Sequence, residues 1–424
     1  MTELSAGRLT RAEFRLYRPT LGSGCRAMMR SVERTEIAVV GAGPTGATTA
    51  LLLARAGHAV TVFDRARFPR DKACGEGLMP PGVRVLRDLD LLVPVLDTGA
   101  QQLHGVEYTH PGGSPTAYAP FGPPPLGGEP WGLGVRRTTF DEVLVDALRR
   151  EALVAIHEDE GVTGLLRDAE GRVAGVKTAR RELRAGVVVA ADGLHSRVRR
   201  WAGWSTPSRA NGRYGLAAHW HLDVRQRRAI VVTLAGDHEW YQAPVGPETL
   251  LVSVLANRQK LGRIAAEYET AAREAVPALV DAELVAGPLA AGQFRQRART
   301  VARDGLFLAG DAAGYDDPTT GEGLAIGLQL AEQLARHVGE FLRREISADT
   351  AARRYRLDHA QLWRDRRRVI RLALLMAGTP WLSRRAVARA AEDPSTLSKL
   401  LAINCGYQSF RDLSPRDWLA LTGF

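Results

Sequence analysis

Cysteine is scarce in this chain: three residues in 424, at positions 25, 74 and 405, with no C-x-x-C pair. That spacing argues against a structural zinc site or any other metal centre and fits a reducing compartment. Long apolar runs are missing as well. No stretch of eighteen or more apolar residues occurs, and the N-terminus has no apolar core of a signal peptide, so a cytoplasmic protein is expected. Zinc-finger, RNP and helix-turn-helix patterns are absent, which turns the net charge of +10 away from nucleic acid and toward arginines dispersed on a solvated surface. One basic segment, Arg364, Arg366, Arg367, Arg368 and Arg371 ahead of the apolar run Leu372 to Met376, leaves contact with an anionic membrane as a lesser reading. The first 35 residues hold scattered arginines without periodicity. They read as a mobile extension (residues 1–34), with Met28 or Met29 as alternative starts.

What is present is a nucleotide-gripping βαβ unit. Ile37 to Val40 is an apolar strand, Gly41-Ala42-Gly43-Pro44-Thr45-Gly46 follows, and Pro44 to Ala56 is rich in helix formers. Gly57 ends the helix, and Ala59 to Phe63 carries Asp64 to a strand tip. Gly41 suits the tight turn, Gly43 the close approach of a pyrophosphate, and Gly46 the packing of helix on strand. The pyrophosphate charge is met by free N–H groups at the helix start, and Asp64 by a ribose.

Beyond this unit the α/β alternation breaks. Pro80-Pro81 leads a helix near Val83 to Leu91, and Leu103 begins a proline- and glycine-rich β section. Thr139 to Arg150 returns to helix, Val162 to Leu166 and Val173 to Thr178 form a hairpin, and Val187 to Ala190 is a buried strand ending at Asp192-Gly193. Tyr214 to Val254 alternates as three or four strands, Leu306 to Ala309 is a short strand, and a helix follows from Gly321 to about Leu342. The remainder is helical, with breaks at Pro380 and Pro394. The expected fold is α/β: a Rossmann-like dinucleotide-binding domain of mixed sheet assembled from residues 35–100, 135–200 and 295–345. A mainly β substrate domain (101–134 and 201–294) is inserted, and a helical region (346–424) closes the chain.

Three motifs together resemble the FAD-dependent aromatic-hydroxylase superfamily, which includes group A flavin monooxygenases, geranylgeranyl-reductase-like enzymes and flavin halogenases. They are the glycine turn with Asp64, the segment Ala191-Asp192-Gly193-Leu194-His195-Ser196-Arg197, and Gly310-Asp311-Ala312-Ala313-Gly314 with Pro318-Thr319-Thr320-Gly321-Glu322-Gly323-Leu324. The resemblance implies that FAD is held by Gly41, Gly43, Pro44, Thr45, Gly46, Asp64 and Arg65 at its adenosine end. Lys72, Arg137 (or Arg136), Asp192, Gly310, Asp311, Pro318, Gly321, Gly323 and Leu324 then meet the rest of the cofactor. Asp311 is placed to accept from ribityl hydroxyls, and the helix opening at Gly321 to Leu324 to favour negative charge on reduced flavin.

The loop Arg70-Asp71-Lys72-Ala73-Cys74-Gly75-Glu76-Gly77-Leu78 looks like that of geranylgeranyl-reductase-like proteins, as does Gly314 where classical hydroxylases carry histidine. The halogenase W-x-W-x-I-P pattern is missing; Glu239-Trp240-Tyr241-Gln242-Ala243-Pro244 stands there instead. Cys74 and Trp240 are the candidate catalytic residues, each also explicable as packing. His219 and His221 are further residues that could meet substrate or serve only structure. No metal ligand set is expected. The resemblance implies NADH or NADPH as a transient donor, molecular oxygen, and hydroxylation or epoxidation of a small apolar or aromatic molecule of specialised metabolism. Saturation of carbon–carbon double bonds is the alternative, and FAD binding without turnover a third reading.

Overall fold

The computed structural model describes residues 33–122, 124–125, 128–207 and 212–422; Cys25, Met28, Met29 and the basic N-terminal stretch lie outside them. Five parallel strands form the centre of an eight-stranded sheet, in the order Val154–His157, Val60–Phe63, Glu33–Val40, Glu182–Ala190 and Leu306–Leu308. Ile37, Ala38, Val39 and Val187 to Ala190 are fully buried, as strands covered on both faces require. Ala302–Arg303 adds an antiparallel edge, and the hairpin Val162–Arg167 and Val173–Thr178 pairs with the first half of Glu182–Ala190. The helices Pro44–Arg55 and Arg137–Arg150 pack on this sheet and on each other, and Gly323–Leu342 packs on Pro44–Arg55. Strands distant in sequence thus lie side by side, and their C-terminal tips bring the three glycine–acid motifs together.

A seven-stranded sheet runs in the order Glu283–Gly292, Arg213–His221, Thr249–Asn257, His238–Gly246, Ala229–Leu234, Gly105–Thr109 and Ala117–Pro120. Its two faces follow the period-2 alternation of side chains. Leu250, Val252, Val254 and Trp240 join a core closed by Leu261, Ile264, Tyr268 and Ala272. Those four lie on helices Arg258–Ala266 and Tyr268–Ala275, which were not expected in the otherwise β section. Leu251, Ser253, Tyr241 and Ala243 point the other way, into a cavity. A three-stranded ribbon of Gly77–Leu78, Gly132–Gly134 and Gln101–Leu103 lies against strand His238–Gly246 of the second sheet. It passes so close that a Cβ on Gly134 would sit 1.9 Å from the Pro244 carbonyl oxygen.

The C-terminal region forms helices Ala348–Ala377, Pro380–Glu392, Ser395–Cys405 and Pro415–Leu421, interrupted near Pro380 and Pro394. Its basic segment is not a uniformly solvated face. Arg366 is buried and lies 3.2 Å from Glu322, Arg367 meets Asp316 at 2.8 Å, and Arg368 meets Asp365 at 2.9 Å. Among the described residues no helix is long and apolar enough to cross a membrane.

Candidate active site

The three motifs line one cavity of about 770 Å³. Its floor begins at the glycine turn. Gly41 has φ +102° and stands against Ala191, whose carbonyl oxygen would be 2.5 Å from any added Cβ. Gly46 is tighter: its Cβ would lie 1.8 Å from the Gly41 carbonyl oxygen. Thr45 closes the same corner, because added Cβ atoms on Gly310 and Gly327 would meet its hydroxyl oxygen at 2.6 and 2.3 Å. Gly41 and Gly46 are therefore there because backbone meets backbone, and Gly310 because it meets Thr45, whereas Gly43, Gly321 and Gly323 face side chains of Arg70, Met79 and Tyr315. Helix Pro44–Arg55 starts with proline and no side-chain cap, which suits an anion at that end.

Asp64 accepts hydrogen bonds from the N–H groups of Ala42 and Ala66, both at 2.8 Å. A carboxylate has about four acceptor sites, so it retains capacity for a ribose while bracing the turn. Arg65 lines the cavity beside it. In the second motif, Asp192 Oδ2 accepts from Arg197 N–H at 2.7 Å and Val198 N–H at 3.1 Å, whereas its buried Oδ1 has no protein partner. Asp192 is thus both a structural brace and a group with an unused acceptor at the cavity wall. Asp311, Pro318, Gly321 (φ +68°), Gly323 and Leu324 line the opposite wall, where helix Gly323–Leu342 begins without a side-chain cap.

The loop at residues 70–78 supplies Arg70 and Lys72, and the start of helix Arg137–Arg150 supplies Arg137. Arg137 is buried and grips Asp141 through two 2.7 Å hydrogen bonds, with Arg70 at 3.4 Å from the same carboxylate. Burial works against the Arg137 charge, but Asp141 and Cys74 more than offset it and its pKa lies above the ordinary value. Arg136 instead meets Asp71 at 3.4 Å and does not line the cavity. Lys72 lines the cavity; its solvent exposure coexists with close protein surroundings. That enclosure lowers its pKa, Asp311 opposes the shift, and Arg137 and Arg70 reinforce it. The Cys74 thiol is also a wall residue, and burial raises its pKa despite Arg137 nearby. It is a protonated thiol rather than a nucleophilic thiolate. Arg70 was not among the expected cofactor residues, yet its guanidinium lies 3.2 Å from the Cβ position of Gly43. A second cation in a loop already carrying Lys72 was the signal for it.

Beyond the cradle the wall turns apolar: Ala217, Ile230, Ala243, Leu251, Leu255 and Phe294 face inward. Trp240 is not among them. Adjacent residues of a strand face opposite ways: Trp240 packs 6.2 Å from the Tyr268 ring in the outer core, and Tyr241 takes the cavity side. The Tyr241 hydroxyl pairs with Thr319 Oγ1 at 3.0 Å, tying the sheet to the third motif. Two buried carboxylates stand near that motif. Burial pushes Asp317 up to about 6 against the pull of Arg213, and Glu322 up to about 7 against Arg366. His219 is buried and bonded to Glu76 at 2.7 Å, while His221 is exposed.

A dinucleotide cradle opening into an apolar chamber defines a redox enzyme that works with a bound dinucleotide. The sequence profile of the FAD binding domain family matches residues 34–365, and the chain belongs to that family; it is an FAD-dependent oxidoreductase. Digeranylgeranylglycerophospholipid reductase 1 of Methanothermobacter thermautotrophicus is 26% identical over 333 residues, covering 73% of this chain and 78% of that one. Squalene monooxygenase of Rattus norvegicus is 27% identical over 346 residues, 75% of this chain and 57% of that one. Menaquinone reductase of Mycolicibacterium smegmatis matches at 53% identity over only 58 residues, 14% of each chain. Among solved structures, a flavoprotein/dehydrogenase from Cytophaga hutchinsonii superposes with TM-score 0.75 at 20% identity, covering 88% of this chain and 93% of the other. A flavin-dependent brominase gives 0.73 at 18%, covering 88% and 94%. These likenesses show the fold.

The residues present fit FAD: a glycine turn at an uncapped helix, Asp64 with acceptor sites to spare, and the unpartnered Asp192 Oδ1. Bound there, FAD would supply two-electron chemistry. Gly41 to Gly46, Asp64 and Arg65 would hold its adenosine half, and Lys72, Asp192, Asp311 and the Pro318 to Leu324 segment its flavin half.

Proposed function

We propose that this enzyme is an NAD(P)H-dependent monooxygenase that hydroxylates or epoxidises an apolar, unsaturated small molecule of specialised metabolism. The observation that carries the reading is the apolar sheet face, Ala217, Ala243, Leu251 and Leu255, set against the cofactor cradle in one cavity. Such a surface binds by excluding water and offers few polar groups to orient a charged substrate. The names of the two long-matching relatives, squalene monooxygenase and digeranylgeranylglycerophospholipid reductase, support an apolar substrate class. The chain's own part is then to hold the cofactor between the loop at 70–78 and the segment Pro318 to Leu324, to keep water from the reacting carbon, and to set the substrate against it.

The same cavity serves saturation of a carbon–carbon double bond, and one observation favours that second reading: the match to a digeranylgeranylglycerophospholipid reductase covers 73% of this chain and 78% of that one. The experiment is a turnover of FAD-loaded enzyme with NADH or NADPH and apolar alkenes under ¹⁸O-labelled oxygen. One labelled oxygen in the product supports the monooxygenase. A saturated product formed equally without oxygen supports the reductase and overturns the first reading.

A further inference from the structure

Ser253 interrupts an apolar surface. On strand Thr249–Asn257 the residues facing the cavity are Leu251, Ser253 and Leu255, while Val252 and Val254 turn to the outer core. The period-2 alternation of a strand therefore fixes the direction of the serine side chain. Register sets its neighbours: Ala217 stands opposite it on strand Arg213–His221, and Tyr241 on strand His238–Gly246, both within side-chain reach. Among the described residues, the seven-stranded sheet brings two hydroxyl-bearing side chains to the cavity, Tyr241 and Ser253. The first is committed to Thr319 Oγ1 at 3.0 Å. The second makes no hydrogen bond with any described residue, although Ser253 is only 8% exposed. Alanine packs on the same face at positions 217 and 243 with nothing left unpaired. A buried hydroxyl without a partner costs stability instead, and buried polar groups are nearly always paired.

A serine hydroxyl both donates and accepts, and it carries no charge. Its neighbours on the sheet face, Ala217, Tyr241, Leu251 and Leu255, offer no countercharge to an ionised headgroup. The partner that fits is a neutral oxygen on an otherwise apolar molecule. We propose that Ser253 is a specificity-determining residue whose hydroxyl binds a single hydroxyl or carbonyl oxygen of the substrate. The inference rests on the reading that an apolar molecule occupies this chamber, and it holds for oxygenation and saturation alike. The Tyr241–Thr319 bond ties the neighbouring strand to the segment Pro318 to Leu324. An oxygen held at Ser253 is thus anchored one strand away from the residue that latches the sheet to the cofactor segment, which fixes the end of the substrate held there. The serine anchors only; no covalent bond to it forms or breaks.

The test is the binding of dodecene, dodecenol and dodecenone to FAD-loaded protein, followed by flavin absorbance, in wild type and Ser253→Ala. Each probe is compared with itself across the two proteins, so its own transfer from water cancels. The variant is expected to bind dodecenol, dodecenone or both about three- to tenfold more weakly, the effect of one neutral hydrogen bond. Dodecene should stay within about twofold of wild type. The melting temperature should hold or rise, because the hydroxyl removed has no protein partner. Should Ser253→Ala not retain FAD, Ser253→Cys takes its place, keeping nearly the same volume with a weaker donor and acceptor. Unchanged affinity for both oxygenated probes, or an equal loss for all three, would overturn the proposal, while saturable dodecene binding by wild type keeps the apolar reading intact. A lower melting temperature with unchanged affinities would also overturn it, assigning the hydroxyl to structure. No response of wild type to any of the three probes would overturn that reading and the proposal together.

Discussion

Replacing Gly46 by alanine tests the cofactor cradle at its tightest point. The added Cβ would lie 1.8 Å from the Gly41 carbonyl oxygen, 3.0 Å from the Gly41 carbonyl carbon and 3.1 Å from Ala191 Cβ. None of these is the end of a flexible side chain, so the start of helix Pro44–Arg55 must move away from the glycine turn by more than 1 Å, roughly the distance to an ordinary contact. Overpacking of this kind costs about 1–3 kcal/mol and sometimes more. Part of that falls on stability and part on the pyrophosphate site, and each 1.4 kcal/mol falling on the site weakens binding about tenfold. We therefore expect FAD affinity, titrated by quenching of flavin fluorescence, to fall by about ten- to a hundredfold, with a lower melting temperature. Gly164→Ala is the control, since nothing lies within 4 Å of its Cβ position and about 0.5 kcal/mol or less is expected. Wild-type FAD affinity and stability in Gly46→Ala would refute the reasoning.

Other expectations follow from single residues. Trp240→Phe should lower stability by about 0.5–3 kcal/mol in urea unfolding and leave FAD affinity unchanged, since Trp240 packs in the outer core; a selective loss of turnover would return it to the site. Among the described residues Arg137→Met leaves the fully buried Asp141 with Arg70 at 3.4 Å as its one remaining ion-pair partner, and should cost about 3–5 kcal/mol in the same assay. Burial raises the Glu322 pKa to about 7, so the native state holds that proton more tightly than the unfolded chain. The stability it contributes is complete below the ordinary glutamate value and is lost as pH rises through about 7. Glu322→Gln should flatten the melting temperature over that window, and an unaltered pH profile would contradict the assignment.

The backbone-dictated parts of the site were legible in the chain. Gly41, Gly46 and Gly310 are recognisable because a side chain there would collide with backbone or Thr45, and Asp64 because a strand tip and a glycine turn fix its place. Strand parity was legible in principle: Tyr241 rather than Trp240 follows once Ala243 is known to face inward, but the sequence does not say which face meets the cavity. The Glu76–His219 bond joins residues 143 apart and could not be read without knowing how the Gly77–Leu78 ribbon approaches the second sheet. The helices at 258–275 were missed because their apolar residues cover the outer face of that sheet, a demand that exists only in three dimensions. The same holds for Arg366, a surface arginine by composition that is buried beside Glu322.

The central claim is that FAD and an apolar substrate share one cavity. It is tested most directly by titrating FAD-loaded protein with an apolar alkene while recording the flavin absorbance, in wild type and in Ala217→Trp, which adds bulk on the sheet face of the cavity. The account predicts a saturable spectral change in wild type that is abolished in the variant, with FAD retained by both. An identical response from the two proteins, or a response only to charged polar ligands, would contradict it.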